Sequence, residues 1–174
     1  MSEASLPHLI DPGKWADRLA SVETRLPLSR FGRLVEGALG TDGDVAVSCR
    51  FSRDARHLPR LQGTLATTLK LTCQRCLAPV DMPVSAEVDV WLLDDEARAE
   101  RLADEEDYVV CEDGQVDLPA LLEDELILAM PLVARHEDCD TLVPLAAPET
   151  EPEAPAKKEN PFQMLAGFKP DRTE

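Results

Sequence analysis

The chain contains two long stretches in which apolar and polar residues alternate with a period of two. In residues 61–71 the odd positions carry leucines, Gly63 and Thr67, whereas the even positions are mainly polar. In residues 80–92 every even position is apolar, from Val80 to Leu92. Alternation of this length is typical of strands that bury one face. The segment CQRCLAP, residues 73–79, lies between the two stretches, and we expect it to form the tip of an antiparallel hairpin that carries two cysteines.

Shorter patterns predict the other elements. Asp11 followed by Pro12 is a helix-start signal, and Asp117 precedes helical spacing over residues 118–130. Residues 127–130 are apolar on all sides, so we expect this part of the helix to be buried and to end at Pro131. Further predictions are strands at residues 6–10, 45–51 and 108–111, a helix over residues 29–39, and a solvated acidic helix or loop over residues 94–107.

The composition changes beyond Cys139. Residues 144–159, PLAAPETEPEAPAKKE, contain four prolines and almost no bulky apolar side chain, which predicts a disordered acidic linker. Residues 160–174 begin with NPFQMLAGF, whose apolar residues have the spacing of a short amphipathic helix. We therefore expect one α+β domain over residues 1–143, with an antiparallel, barrel-like sheet and flanking helices, followed by the linker and a C-terminal motif.

Length and charge limit the class of protein. No apolar run approaches about 18 residues, the length of a membrane span, and the first twenty residues lack the apolar segment of a secretory signal. We therefore expect a soluble cytoplasmic protein. The net charge of -16 is uneven, because residues 1–80 carry 11 Lys and Arg against 8 Asp and Glu, whereas residues 81–174 carry 7 against 26. The first part could attract RNA, and the second a basic partner.

The cysteines supply the main candidate chemistry. Cys73 and Cys76 form a C-x2-C pair, and His136 and Cys139 have the same two-residue gap. Together they form a Cys3His set, a ligand combination typical of structural zinc sites. A metal-free pair of thiols stays open as an alternative. A redox pair needs a low-pKa thiolate, usually at a helix N-terminus, and the strands on both sides of this motif disfavour it. Cys49 and Cys111 are expected to be small buried residues.

Two charged clusters are candidates for binding partners. Arginine forks match phosphate geometry, so we interpret the basic stretch RFSRDARHLPR and the hairpin tip as candidate RNA contacts: Arg50, Arg53, Arg56, Arg60 and Arg75. An arginine-rich solvated loop is the alternative. The adjacent acids Glu123, Asp124 and Glu125 are more typical of a solvated helix face than of acid–base catalysis. No phosphate-binding loop, nucleophile elbow or HExxH motif is present.

Three segments carry a resemblance to a known family. They are LTCQRCLAPV, DLPALLEDELILAMPLVARHEDC and the terminal NPFQMLAGFK, which occur in this order from the hairpin through the helix to the tail. In these segments the chain resembles the YceD family, the large ribosomal RNA subunit accumulation proteins. The resemblance covers most of the chain from about residue 60 onward. The family pattern also draws attention to Asn160, Pro161 and Phe162, which we interpret with the three helix acids as candidates for partner docking.

The resemblance implies a non-enzymatic, cytoplasmic bacterial factor that is needed for accumulation of 23S ribosomal RNA. Its partner would be precursor 23S rRNA or a basic large-subunit ribosomal protein, and neither a membrane nor a small-molecule substrate is expected. Two alternatives from other classes stay open. One is a zinc- or thiol-dependent enzyme acting on RNA, and the other is a zinc-stabilised protein-interaction module.

Overall fold

A computed structural model describes residues 6–139, apart from the Arg101 side chain. Seven strands and three α-helices make up this part of the chain. The strands are β1 (Leu9–Ile10), β2 (Ser21–Pro27), β3 (Asp44–Arg53), β4 (Pro59–Thr72), β5 (Pro79–Leu93), β6 (Tyr108–Val110) and β7 (Val116–Asp117). The helices are α1 (Pro12–Asp17), α2 (Gly32–Val35) and α3 (Leu118–Leu128), and 3-10 helices lie at Leu28–Arg30, Glu96–Arg101 and Glu112–Gly114.

The main sheet has five strands in the order β2-β3-β4-β5-β6. The first four are antiparallel neighbours joined in sequence, and the predicted hairpin is confirmed by β4 and β5, whose pairing runs from Arg60↔Trp91 to Thr72↔Pro79. β6 instead runs parallel to β5. The expectation of a barrel is wrong, because β2 and β6 stand at opposite ends of the strand order and the sheet stays open.

One face of the sheet forms the core. The alternating apolar residues of β3, β4 and β5 point to this face, and they share one buried cluster with residues of α1 and α3. Helix α1 packs on β3 and β4, whereas α3 packs on β5. Asp11 and Asp117 cap these helices as predicted, accepting hydrogen bonds from the backbone amides of Lys14 and Ala120 at 3.0 Å each.

Gly63 permits a close approach of β3 and β4. It lies opposite Cys49 in the register. A Cβ atom at this position would meet the carbonyl oxygen of Ser48 and would lie 2.6 Å from the Cys49 Sγ atom. Because real Cβ atoms do not approach other atoms this closely, a side chain here would force the two strands apart.

The opposite face carries a small second cluster near the end of β5. Leu58, Trp91 and Leu93 are buried there, and Ala99 and Leu102 of the following segment pack against them. The last residues of β5 are therefore covered on both faces, although the segment that covers them was expected to be solvated. Residues 94–107 form a 3-10 helix and turns, and most of their charged side chains remain exposed.

Two other expectations need correction. The predicted helix over residues 29–39 is reduced to a 3-10 turn and the single turn of α2, and the strand β2 before it was not predicted. Helix α3 ends at Leu128, before Pro131, and residues 127–130 are not a buried turn because Leu128 is 79% exposed. Ile127, Ala129 and Met130 are partly buried against the core, whereas Leu128 points to solvent.

Part of the predicted domain organisation lies outside the described residues. These parts are the linker over residues 144–159 and the motif over residues 160–174, including Asn160, Pro161 and Phe162. Both stay predictions. Within residues 6–139, none of the helices has the length and apolar character that crossing a membrane requires.

Candidate metal centre

The structure brings the four predicted ligands together at the tip of the β4–β5 hairpin. The Sγ atoms of Cys73, Cys76 and Cys139 and a ring nitrogen of His136 all lie within 4.8 Å of one another. The Sγ atoms of Cys73 and Cys139 are 3.8 Å apart, and Cys76 Sγ lies 3.4 Å from His136 Nδ1. The two pairs thus interleave, each cysteine of the hairpin facing one ligand of the later segment.

Backbone hydrogen bonds shape the hairpin tip. The Cys73 amide donates to the Ala78 carbonyl at 2.9 Å, and the Leu77 amide donates to the Cys73 carbonyl at 2.9 Å. Leu77 has a φ of 59°, the left-handed conformation that closes this tight turn. The result is a compact loop whose two thiols point to the same side.

A second contact holds the segment after α3 against this loop. The Gln74 amide donates to the Ala134 carbonyl at 2.8 Å, and Ala134 is buried in the main core. Two residues later, His136 Nε2 lies 3.0 Å from the Pro79 carbonyl oxygen. Because that oxygen can only accept, Nε2 donates to it, and Nδ1 is the ring nitrogen that faces Cys76. Carbonyl contacts of this kind orient histidines that bind metals.

The pKa values of Cys73 and Cys139 are shifted in opposite directions. Burial would raise the pKa of Cys73, but hydrogen bonds from the backbone amides of Cys76, Arg75 and His136, together with the His136 side chain, lower it to about 5. Burial and the neighbouring Cys73 and Cys76 thiols raise the pKa of Cys139 to about 11. The protein thus stabilises the thiolate of Cys73. A second thiolate in the cluster would be repelled by the first, unless a bound cation neutralised their charges.

The donor set and its spacing fit a tetrahedral ion. With Zn–S distances of about 2.3 Å, neighbouring sulfurs of a tetrahedral site lie about 3.8 Å apart. This matches the separation of Cys73 and Cys139. All four positions would be filled by protein atoms, which is the arrangement of structural sites rather than of catalytic ones. The cluster can therefore hold a metal ion, with four ligands from this chain.

The other two cysteines of the described residues are buried elsewhere. Cys49 lies in β3 and Cys111 follows β6, and burial raises the pKa of each thiol to about 11. For Cys111 the charge of Asp94 contributes to the same direction. Both thiols stay protonated at neutral pH and serve as small apolar residues, as the sequence predicted.

The arginines of the basic stretch are held by acidic side chains. Arg53 Nε lies 2.6 Å from Asp17, and Arg60 binds both carboxylate oxygens of Asp89 at 2.6 Å each. Arg50 has a weaker partner, Gln62 Oε1 at 3.4 Å. The positive charges of this stretch are therefore largely neutralised by neighbours within the domain, and their role as RNA contacts stays a prediction.

Arg56 belongs to a network that the sequence analysis did not identify. It binds Asp54 at 2.6 Å and both carboxylate oxygens of Glu106, and Trp91 Nε1 donates to Asp54 at 3.1 Å. Its guanidinium lowers the pKa of Glu106 to about 2. Arg60 stacks 4.2 Å above the Trp91 ring. Because Glu106 lies 50 residues from Arg56, no local sequence signal could have indicated this pairing.

Arg75 is separated from these arginines. It is exposed at the hairpin tip, beyond the end of β4, whereas Arg60 lies at the start of that strand. The rise of about 3.3 Å per residue places the two ends about 40 Å apart. The structure therefore does not join Arg75 to the basic stretch and places it beside the cysteine–histidine cluster instead.

The three helix acids differ in their surroundings. Glu123 is 8% exposed and accepts hydrogen bonds from the backbone amides of Arg33 and Leu34 at 2.8 and 3.1 Å, which ties α2 to α3. Asp124 binds Arg33 at 2.6 Å. Burial raises the pKa of Glu125, and the charges of Asp107 and Asp124 raise it further. Glu123 is thus an interior contact, Asp124 is exposed and Glu125 is half-buried, and the docking role of all three stays a prediction.

Comparisons with known proteins match this chain to one family, over a range that includes residues beyond Cys139. Residues 61–169 match the model of a family described as large ribosomal RNA subunit accumulation protein YceD. The chain is also 32% identical over 172 residues to the large ribosomal RNA subunit accumulation protein YceD of Haemophilus influenzae, covering 97% of this chain and 99% of that protein. No solved structure matches the chain.

Proposed function

The chain belongs to the YceD family, and from that premise we propose that it is a non-enzymatic, cytoplasmic factor of large ribosomal subunit biogenesis, needed for accumulation of 23S rRNA. One observation carries the proposal: the similarity to the Haemophilus influenzae protein extends over nearly the whole of both chains. The role stated in the name of that protein therefore belongs to a protein that aligns with this chain over nearly its whole length.

We further propose that the Cys3His cluster binds Zn²⁺ as a structural ion. Cys73, Cys76, His136 and Cys139 would be its ligands, and the ion would supply the positive charge that three neighbouring thiols require to ionise together. Bound there, it would join the hairpin tip to the segment after α3. Because these four residues would fill all four coordination positions of the ion, no position would be left for water or a substrate, which supports a structural zinc over a catalytic one.

Two routes to rRNA accumulation are compatible with this role. The protein could bind precursor 23S rRNA, or it could escort a basic large-subunit protein to its RNA. The ion pairs of Arg53, Arg56 and Arg60 support the second route, because a cation already held by a carboxylate gains less from a phosphate. The excess of acidic residues in the second half of the chain supports it as well.

Deletion and complementation test the biological role. In a bacterium that lacks its own family member, we expect the ratio of 23S to 16S rRNA to fall, and expression of this chain to restore it. RNA electrophoresis and sequencing would measure the ratio. An unchanged ratio in the deletion strain, or failure of a well-folded chain to restore it, would contradict the proposal.

A cysteine variant separates the structural ion from an enzyme. For Cys76→Ser we expect loss of complementation together with a lower melting temperature and loss of bound zinc. The matched control is Cys49→Ser, which alters a buried thiol outside the cluster. A Cys76→Ser protein that keeps its melting temperature and its zinc but no longer supports rRNA accumulation would favour an enzyme.

A further inference from the structure

Helix α3 ends with an exposed apolar side chain beside residues that pack on the core: Ile127, Ala129 and Met130 contact the core, whereas Leu128 points to solvent. Leu121 and Leu128 are seven residues apart and therefore lie on the same face. Leu121 is 6% exposed, whereas Leu128 is 79% exposed and is followed by the exposed Leu132 and Val133. Several large aliphatic side chains thus lie in solvent within one turn and the segment after it. Exposed apolar groups concentrated in this way are typical of binding surfaces.

Acidic side chains border this exposed turn. Asp124 and Glu125 lie four and three residues before Leu128, on the same side of α3. Asp107 immediately precedes β6, which pairs with β5, the strand on which α3 packs, and the charge of Asp107 raises the pKa of the Glu125 carboxyl. The neighbouring Tyr108 is 41% exposed. Helix α3 and the start of β6 therefore contribute to one surface, which we call the α3–β6 surface: Asp107, Tyr108, Asp124, Glu125 and Leu128.

The negative charge of this surface is only partly neutralised. Asp124 is paired with Arg33, but among the described side chains, which do not include that of Arg101, no cation forms an ion pair with Asp107 or Glu125. Upstream, residues 94–117 add further exposed carboxylates, and Arg98, the exposed cation among the described side chains of that segment, is paired with Asp94. A partner with positive charge would relieve the repulsion between these carboxylates, whereas a phosphate backbone would increase it.

We propose that the α3–β6 surface binds a lysine- and arginine-rich polypeptide segment that also presents apolar side chains to Leu128 and Tyr108. This inference rests on the proposed function for the source of the segment, a basic protein of the large ribosomal subunit. Apolar contacts at the centre would supply affinity, and the surrounding carboxylates would supply specificity and a fast, salt-dependent association.

The test is a binding measurement with RNA-free proteins extracted from large ribosomal subunits. The full zinc-loaded chain is immobilised, and the retained proteins are identified and quantified at low and high salt. We expect one or a few basic proteins to be retained. Asp107→Lys/Glu125→Lys and, separately, Leu128→Ser should each weaken retention about tenfold, which corresponds to roughly 1.4 kcal/mol.

Matched controls change the same properties elsewhere. Asp42→Lys/Glu87→Lys makes an equal charge change at exposed residues, and Leu19→Ser removes a leucine that is 71% exposed. Both controls should bind like the unaltered protein. Equal weakening by the controls, or undiminished retention by both surface variants, would overturn the proposed surface.

The result separates this inference from the function on which it rests. If the chain retains 23S rRNA but none of the extracted proteins, the partner is RNA and the α3–β6 inference is wrong, while the role in rRNA accumulation stands. If the deletion strain described above has normal rRNA, the proposed function fails whatever the binding measurement shows.

Discussion

Removing the metal should destabilise the domain far more than removing an ordinary contact. A bound ion would connect Cys73 to Cys139, which are 66 positions apart in sequence. A cross-link that closes a loop of that length stabilises the folded state by about 4 kcal/mol through the unfolded chain's entropy alone. The apparent binding free energy of structural zinc is larger, about 10–16 kcal/mol. The total stability of a domain is only about 5–15 kcal/mol.

The loop-closure entropy alone sets a lower limit for the change in melting temperature on metal removal. For a domain of this size 1 kcal/mol corresponds to a change in melting temperature of about 3–4 °C, so 4 kcal/mol corresponds to at least about 12 °C. We expect excess chelator to lower the melting temperature by this amount or more, and added Zn²⁺ to restore it. Calorimetry or circular dichroism would measure the shift, and elemental analysis of the purified chain would give the zinc content.

Cysteines inside and outside the cluster provide a variant and its control. Cys139→Ser should reproduce the effect of the chelator and should no longer respond to it, whereas Cys111→Ala, outside the cluster, should still respond. A purified chain without metal, whose melting temperature is unchanged by zinc, chelator or Cys139→Ser, would refute the structural-zinc argument.

Three further predictions concern the rest of the domain. Gly63→Ala should destabilise the protein by about 3 kcal/mol or more, seen as a lower urea midpoint, because the added Cβ collides with β3. Glu123→Ala should cost about 1–3 kcal/mol by leaving backbone amides of α2 unpaired, measured in the same way, and Glu123→Gln should recover part of the loss. The pKa of Glu106 is lowered from 4.5 to about 2 by Arg56, so its ion pair stabilises the folded state above pH 4.5 and this contribution is lost as the pH falls towards 2. Trp91 fluorescence, with the other tryptophan replaced by phenylalanine, would follow this loss, and Glu106→Gln should abolish that part of the pH dependence.

The local patterns of the sequence were sufficient to predict the hairpin and the residues of the Cys3His cluster. Period-two alternation defined β4 and β5, and two gaps of equal length identified the two ligand pairs. The parallel pairing of β6 could not be predicted, because it depends on how residues 94–107 cross the sheet. Strand β2 was missed because its alternation is short and only Leu26 is fully buried.

The state of the arginines was also beyond local patterns. Asp54 is the one acid that the basic stretch offers to Arg56 and Arg60, but Glu106 and Asp89 reach these arginines from other parts of the fold. The burial of Glu123 has the same origin, since its partners are amides of α2 about 90 positions earlier. Charge in a sequence thus predicts which ions are present, and only the fold determines which of them are paired.

The position of β1, β7 and the metal ligands along the chain has a consequence for the order of folding. The β2–β3–β4–β5 strands pair with their neighbours in sequence, so this part can form from nearby contacts as the chain is synthesised. The β1–β7 pair instead joins residues 9–10 to residues 116–117, and the Cys3His cluster joins Cys73 and Cys76 to His136 and Cys139. A nascent chain would therefore hold a nearly complete sheet while β1 is still unpaired and the metal ligands are still incomplete. Metal capture would come at the end of domain synthesis, as the step that commits the finished chain to its native state.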